Sequence, residues 1–135
     1  MKKLTLVLLT AALLCGAALV GAVPPAGASG AESGGDAIIR SGDCSGSADW
    51  KLKAKARDGS YEVEFEVDSN RRGQVWRYTL RQNGVVLSQG TRTTQPPSGS
   101  FSVERRAPNT AGADTFVGTA TNVATGQTCR GTLTV

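Results

Sequence analysis

Cysteine, glutamate and arginine are the first residues to weigh for chemistry in this chain, because histidine is absent. Without an imidazole there is no Ser-His-Asp or Cys-His arrangement to activate a nucleophile. Cys44 and Cys129 are the two cysteines outside the apolar N-terminal run. An even pair in an exported chain reads as a disulfide. That bond withdraws both sulfurs from thiolate catalysis and from metal ligation. It closes a loop of 85 residues, for which chain entropy gives roughly 4–5 kcal/mol.

Glu62, Glu64 and Glu66 are the obvious paired carboxylates, the groups that glycoside hydrolysis requires. They alternate along one segment and face an equally regular lysine series, Lys51, Lys53 and Lys55. A cationic partner keeps a carboxylate ionised, whereas a general acid needs a raised pKa. No glycine-rich phosphate loop joins a strand to a helix, and no acidic cluster has EF-hand spacing. The chain is therefore expected to be no enzyme and to need no cofactor or metal. The same ladder neutralises the lysines, so nucleic acid is not an expected partner.

The remaining cations are arginines, among them Arg71, Arg72, Arg77, Arg81, Arg92, Arg105 and Arg106. Arg77 and Arg81 fall on the outer face of one strand. In the register set by Asn83-Gly84, Arg77 faces Gly90 and Arg81 faces Val86, so neither meets an acid. With Arg71 and Arg72 they form the candidate binding face, suited to an acidic extracellular protein or an anionic cell-envelope polymer. Trp50 and Trp76 fall on inward faces and read as core rather than as sugar-stacking platforms. The loops at 95–100 and 108–112 are long enough to bind a partner, but their residues carry no distinctive chemistry.

Short alternating segments separated by turn residues must position these groups. No segment keeps a helical period, which is the pattern of an all-β sandwich or barrel. In residues 50–56 the even positions are apolar and the odd ones basic; in 61–67 the odd positions are apolar and the even ones acidic. Asp58-Gly59 lies between, a dipeptide suited to a two-residue type I′ turn. One register satisfies turn, apolar face and charge together. Lys51 faces Glu66, Lys53 faces Glu64, Lys55 faces Glu62, and Trp50, Leu52, Ala54 and Ala56 meet Val67, Phe65, Val63 and Tyr61. A second hairpin runs through Trp76, Tyr78 and Leu80, turns at Asn83-Gly84 and returns over 85–88 with Leu87 opposite Leu80. Phe101 and Val103 point inward on a later strand.

The front end reads as a secretory signal. Lys2 and Lys3 precede an apolar run over 4–20, Pro24-Pro25 break it, and Ala26-Gly27-Ala28 supplies the small residues of a cleavage site, with cleavage after Ala22 as second choice. Leu14 stands where a lipobox needs a small residue before its cysteine, so Cys15 is a poor lipidation site. Cleavage after Ala28 leaves 13 basic against 11 acidic residues, no membrane span and a secreted product. Residues 29–43 are small, polar and glycine-rich and read as a flexible linker, with Ile38-Ile39 able to add a short edge strand. The folded domain is expected over 44–135.

Ala111-Gly112, Phe116, Ala120, Asn122 and Gly126 resemble the closing hairpin of bacterial immunoglobulin-like and fibronectin-III-like domains. The whole chain also resembles small secreted bacterial proteins whose function is not established. The resemblance implies a single immunoglobulin-like antiparallel β-sandwich of about seven strands. Antibody-type domains place their disulfide between central strands of facing sheets; here it would clasp the start of the domain to its end. The expected role is a non-catalytic extracellular binding module. A small protease or hydrolase inhibitor and a cell-envelope structural component are the alternatives.

Overall fold

The computed structural model describes residues 36–135. The expected signal peptide, both cleavage sites, Cys15 and residues 29–35 of the expected linker lie outside the described residues. Eight strands follow: β1 (Ile38–Asp43), β2 (Asp49–Arg57), β3 (Ser60–Asp68), β4 (Val75–Gln82), β5 (Val85–Thr93), β6 (Ser100–Pro108), β7 (Thr115–Asn122) and β8 (Thr128–Thr134). They form two four-stranded antiparallel sheets, ordered β1-β2-β3-β6 and β5-β4-β7-β8. The count is eight rather than about seven because β1 occupies part of the expected linker. It pairs with β2 from Ile38 opposite Ala54 to Asp43 opposite Asp49.

The β2–β3 hairpin has the register read from its sequence, from Trp50 opposite Val67 to Ala56 opposite Tyr61. Asp58 and Gly59 both take positive φ, 51° and 73°, as a type I′ turn demands. The β4–β5 hairpin departs from expectation. Asn83-Gly84 does turn the chain, but a bulge between Leu80 and Arg81 shifts the register. Leu80 therefore faces Ser88 rather than Leu87, and Arg77 faces Thr91 rather than Gly90. Arg81 still faces Val86, because that pair precedes the bulge on the return strand. A bulge inserts one unpaired residue, here Leu87, and flips the alternation after it. The shift lets the buried Tyr78 hydroxyl meet Ser88 Oγ at 2.9 Å, which satisfies both groups away from water.

Leu52, Phe65, Trp76, Leu80, Phe116 and Leu133 are wholly buried between the sheets. Glycines set how closely the strands approach. A Cβ on Gly118 of β7 would lie 2.5 Å from the Phe65 ring. The Trp50 indole covers Gly42 of β1 and Gly131 of β8, leaving no room for a side chain at either. It thereby spans the edge where the two sheets meet. The Cys44–Cys129 disulfide ties that same edge, with Cα atoms 4.3 Å apart. Ser45 N–H donates to Thr128 O at 2.8 Å, and Thr128 N–H donates to Ser45 Oγ at 2.9 Å.

Asp114 anchors the opposite end of the sandwich. Its side chain is fully buried. Oδ1 accepts from Thr110 Oγ1 at 2.6 Å, Gln82 Nε2 at 2.8 Å and Asn83 Nδ2 at 3.1 Å; Oδ2 accepts from Thr110 N–H at 3.0 Å. The Thr110 hydroxyl, the other donors aiding it, holds the carboxyl below its ordinary 3.8 against the opposing effect of burial. A depressed folded-state pKa gives stability that is complete above the unfolded value and lost as pH falls through the folded one. Asp114→Asn is therefore expected to destabilise the domain at pH 7, with the deficit shrinking below about pH 4. Urea midpoints of both proteins from about pH 7 to about pH 2.5 check this. A deficit that stays constant to the acid end would refute it.

Candidate binding face

The two sheets present opposite kinds of outer surface. On β1-β2-β3-β6 the outward cations of β2 face acids, while Arg40 of β1 and Arg105 of β6 donate to backbone carbonyls. Lys51 pairs with Glu66 at 3.5 Å, Lys53 with Glu64 at 3.8 Å and Arg57 with Glu62 at 2.9 Å. Lys55 lies opposite Glu62 in the register. Asp43, Asp49 and Asp68 form a cross-strand row at one end of this sheet. Among the described residues no three acidic, cysteine or histidine side chains gather closely enough to hold a metal ion.

The outer face of β5-β4-β7-β8 carries no acid. Alternation turns Trp76, Tyr78 and Leu80 inward and Arg77, Thr79 and Arg81 outward. On β8, Cys129, Gly131 and Leu133 are buried, which places Arg130 outward. Thr119 lies opposite both Thr79 and Arg130, so Arg130 is level with the midpoint between Arg77 and Arg81. Their spacing in the sequence puts Arg77 and Arg81 about 13 Å apart along the strand, and β8 lies roughly 10 Å from β4 across the sheet. The three arginines therefore form a near-regular triangle. None of their guanidinium groups has a carboxylate partner among the described residues.

Threonine fills most of the remaining face. Thr91, Thr93, Thr121, Thr128, Thr132 and Thr134 are exposed, and Thr79 and Thr119 half-buried. Thr91, Arg77, Thr121 and Thr128 stand in one cross-strand row. A hollow of about 430 Å³ beside Arg77 is lined by Tyr78, Thr79, Gln89, Gly90 and Thr91. β-Branched threonine suits a strand; the Thr115 and Thr134 hydroxyls pair with each other at 3.0 Å, and Thr119 Oγ1 donates to Thr79 O at 3.4 Å.

The other expected site residues separate from this face. Arg71 and Arg72 belong to the β3–β4 connection rather than to the strand that carries Arg77 and Arg81. Arg72 Nε donates to Pro97 O at 3.3 Å. Arg71 lines a cleft of about 430 Å³ among the loops at the disulfide end. Those loops spend their polar groups on each other. Thr94 Oγ1 donates to Arg71 O at 2.5 Å, and Ser69 Oγ donates to Gly99 O at 3.2 Å. Gln127 Oε1, in the amide orientation that satisfies both its ends, accepts from the N–H groups of Gly46, Ser47 and Ala48. Arg92 lies 5.3 Å from the Tyr78 ring centre, Arg106 donates to Ser60 Oγ at 2.7 Å, and Arg105 to Glu104 O at 3.0 Å. Trp76 is fully buried and Trp50 half-buried, so neither offers a free aromatic platform.

Arg130 is a functional candidate that the sequence-based set of arginines omits. Its signal is present in the alternation around Cys129 and Leu133. No family model matches the chain, and no curated protein or solved structure is significantly similar to it.

Proposed function

We propose that this chain is a secreted, non-catalytic binding module that engages an anionic polymer of the cell envelope through the outer face of β5-β4-β7-β8. The observation that carries the reading is the triangle of Arg77, Arg81 and Arg130 on a face without acids, while on the opposite face Lys51, Lys53 and Arg57 pair with the glutamates of β3. Unpaired guanidinium groups on a flat surface raise the local concentration of polyanions and bind them in bidentate fashion. The domain itself is proposed to be immunoglobulin-like, in the fibronectin-III-like arrangement. Strands β2-β3-β6 facing β5-β4-β7-β8 correspond to three strands facing four in that arrangement, with β1 as an added edge.

The test is retention on an immobilised anionic cell-wall polymer. Arg77→Ala, Arg81→Ala and Arg130→Ala combined are expected to weaken retention by about tenfold or more, at roughly the half to one kcal/mol of an exposed ion pair for each arginine. Added salt should weaken the wild-type protein and leave the triple variant little changed. Equal retention of the two proteins at low salt would overturn the reading.

A further inference from the structure

The composition of the face narrows the class of polymer, an inference that rests on the binding reading above. Its free cations are all arginine, whereas Lys51, Lys53 and Lys55 lie on the opposite sheet. Guanidinium forks match planar carboxylates or phosphates better than an ammonium does. Between the arginines lies a floor of hydroxyls. Thr91 and Thr121 flank Arg77 in its row, Thr79 and Thr119 occupy the centre of the triangle with Thr119 Oγ1 donating to Thr79 O at 3.4 Å, and Val86 and Val117 flank Arg81. A hydroxyl both donates and accepts, so this floor is complementary to a ligand that itself presents many hydroxyls. The hollow beside Arg77, with Gln89 at its rim, adds an amide that does the same.

What the face lacks is equally informative. The one aromatic at its hollow, Tyr78, is buried, so the face offers no exposed stacking platform for the bases of single-stranded nucleic acid. It is a sheet face with no helix or projecting ribbon to enter a duplex groove. Polyphosphate would use the arginines but leave the hydroxyl floor with few matching partners. We infer that the ligand is an acidic polysaccharide, its carboxylates held by Arg77, Arg81 and Arg130 and its sugar hydroxyls hydrogen-bonded to the threonine floor. Arginine contributes attraction, and threonine distinguishes a sugar chain from other polyanions.

Four probes of matched length separate these contributions: polygalacturonate, polyglutamate, polyphosphate and dextran. They carry, in order, acid with hydroxyls, acid without them, phosphate without them, and hydroxyls without charge. The full chain is expected to bind polygalacturonate about tenfold more tightly than polyglutamate or polyphosphate at equal salt, and dextran not measurably. Thr79→Val, Thr91→Val, Thr119→Val and Thr121→Val together keep a β-branched residue at every position of the floor, so the strands stay intact. This variant is expected to bind polygalacturonate and polyglutamate equally. If the wild-type protein already binds polyglutamate or polyphosphate as tightly as polygalacturonate, the polysaccharide assignment is overturned while the anion-binding reading stands. If the valine variant keeps the wild-type preference, the threonine floor is not its source and the inference also fails. If no anionic probe is retained even at low salt, the anion-binding reading itself falls.

Discussion

Gly99→Ala is expected to destabilise the domain by roughly 2–5 kcal/mol, the sum of a left-handed backbone penalty and a steric one. Gly99 has φ +88°, and a Cβ there would fall onto the backbone of Arg71. The neighbour is main chain and cannot rotate aside. The same contact docks two connections onto each other: Ser69 N–H donates to Gly99 O at 3.0 Å, while within its own connection Gly99 N–H donates to Gln95 O at 2.9 Å. Gly126→Ala is the matched control. Gly126 has φ +74°, but a Cβ added there would meet nothing within 4 Å, so only the backbone penalty of about 1–2 kcal/mol applies. Urea unfolding of the two variants separates conformation from crowding. Equal losses would show that the β3–β4 and β5–β6 connections have room to part at Gly99.

Removal of the disulfide is the second large effect. Cys44→Ala with Cys129→Ala is expected to cost roughly 2–5 kcal/mol and to leave a folded domain. The bond closes most of the described chain into one loop, so its loss frees much unfolded-state entropy. Two other ties hold the same edge. Trp50 still packs over Gly42 and Gly131, and the paired Ser45–Thr128 hydrogen bonds remain. Amide exchange should accelerate most in β1, in residues 44–48 and in β8, and least in β3 and β4. A double variant wholly unfolded near room temperature would show that the hairpins do not hold the sandwich without the bond.

Legibility in the sequence follows from how local each cause is. The β2–β3 register is legible because turn, apolar alternation and charge all act within a short stretch of chain. The β1 strand is nearly invisible. In Ile38–Asp43 only Ile38 and Gly42 are even partly buried, and Gly42 contributes by having no side chain under Trp50. The β4–β5 bulge answers to the buried Tyr78 hydroxyl and its need for Ser88, a requirement that a turn dipeptide does not encode. The candidate face is legible in half. Arg77 and Arg81 follow from alternation on β4, and Arg130 from alternation on β8, but that they share a face depends on β7 lying between those strands. Arg71 shows the converse. It is near Arg77 in sequence but lies in the connection before β4, where it lines the cleft at the disulfide end.

The clasp at Cys44–Cys129 also has a mechanical meaning. Tension applied between a point before β1 and a point after β8 enters the domain through two edge strands. It can peel β1 from β2 only as far as Cys44, and β8 from β7 only as far back as Cys129. Beyond those points the load crosses from one sulfur to the other. The residues between them, including the hairpins and all of β4 with Arg77 and Arg81, lie off the load path. A tethered copy of this domain under shear would thus stretch by a short length at each end and then stop, with most of its arginine face still assembled.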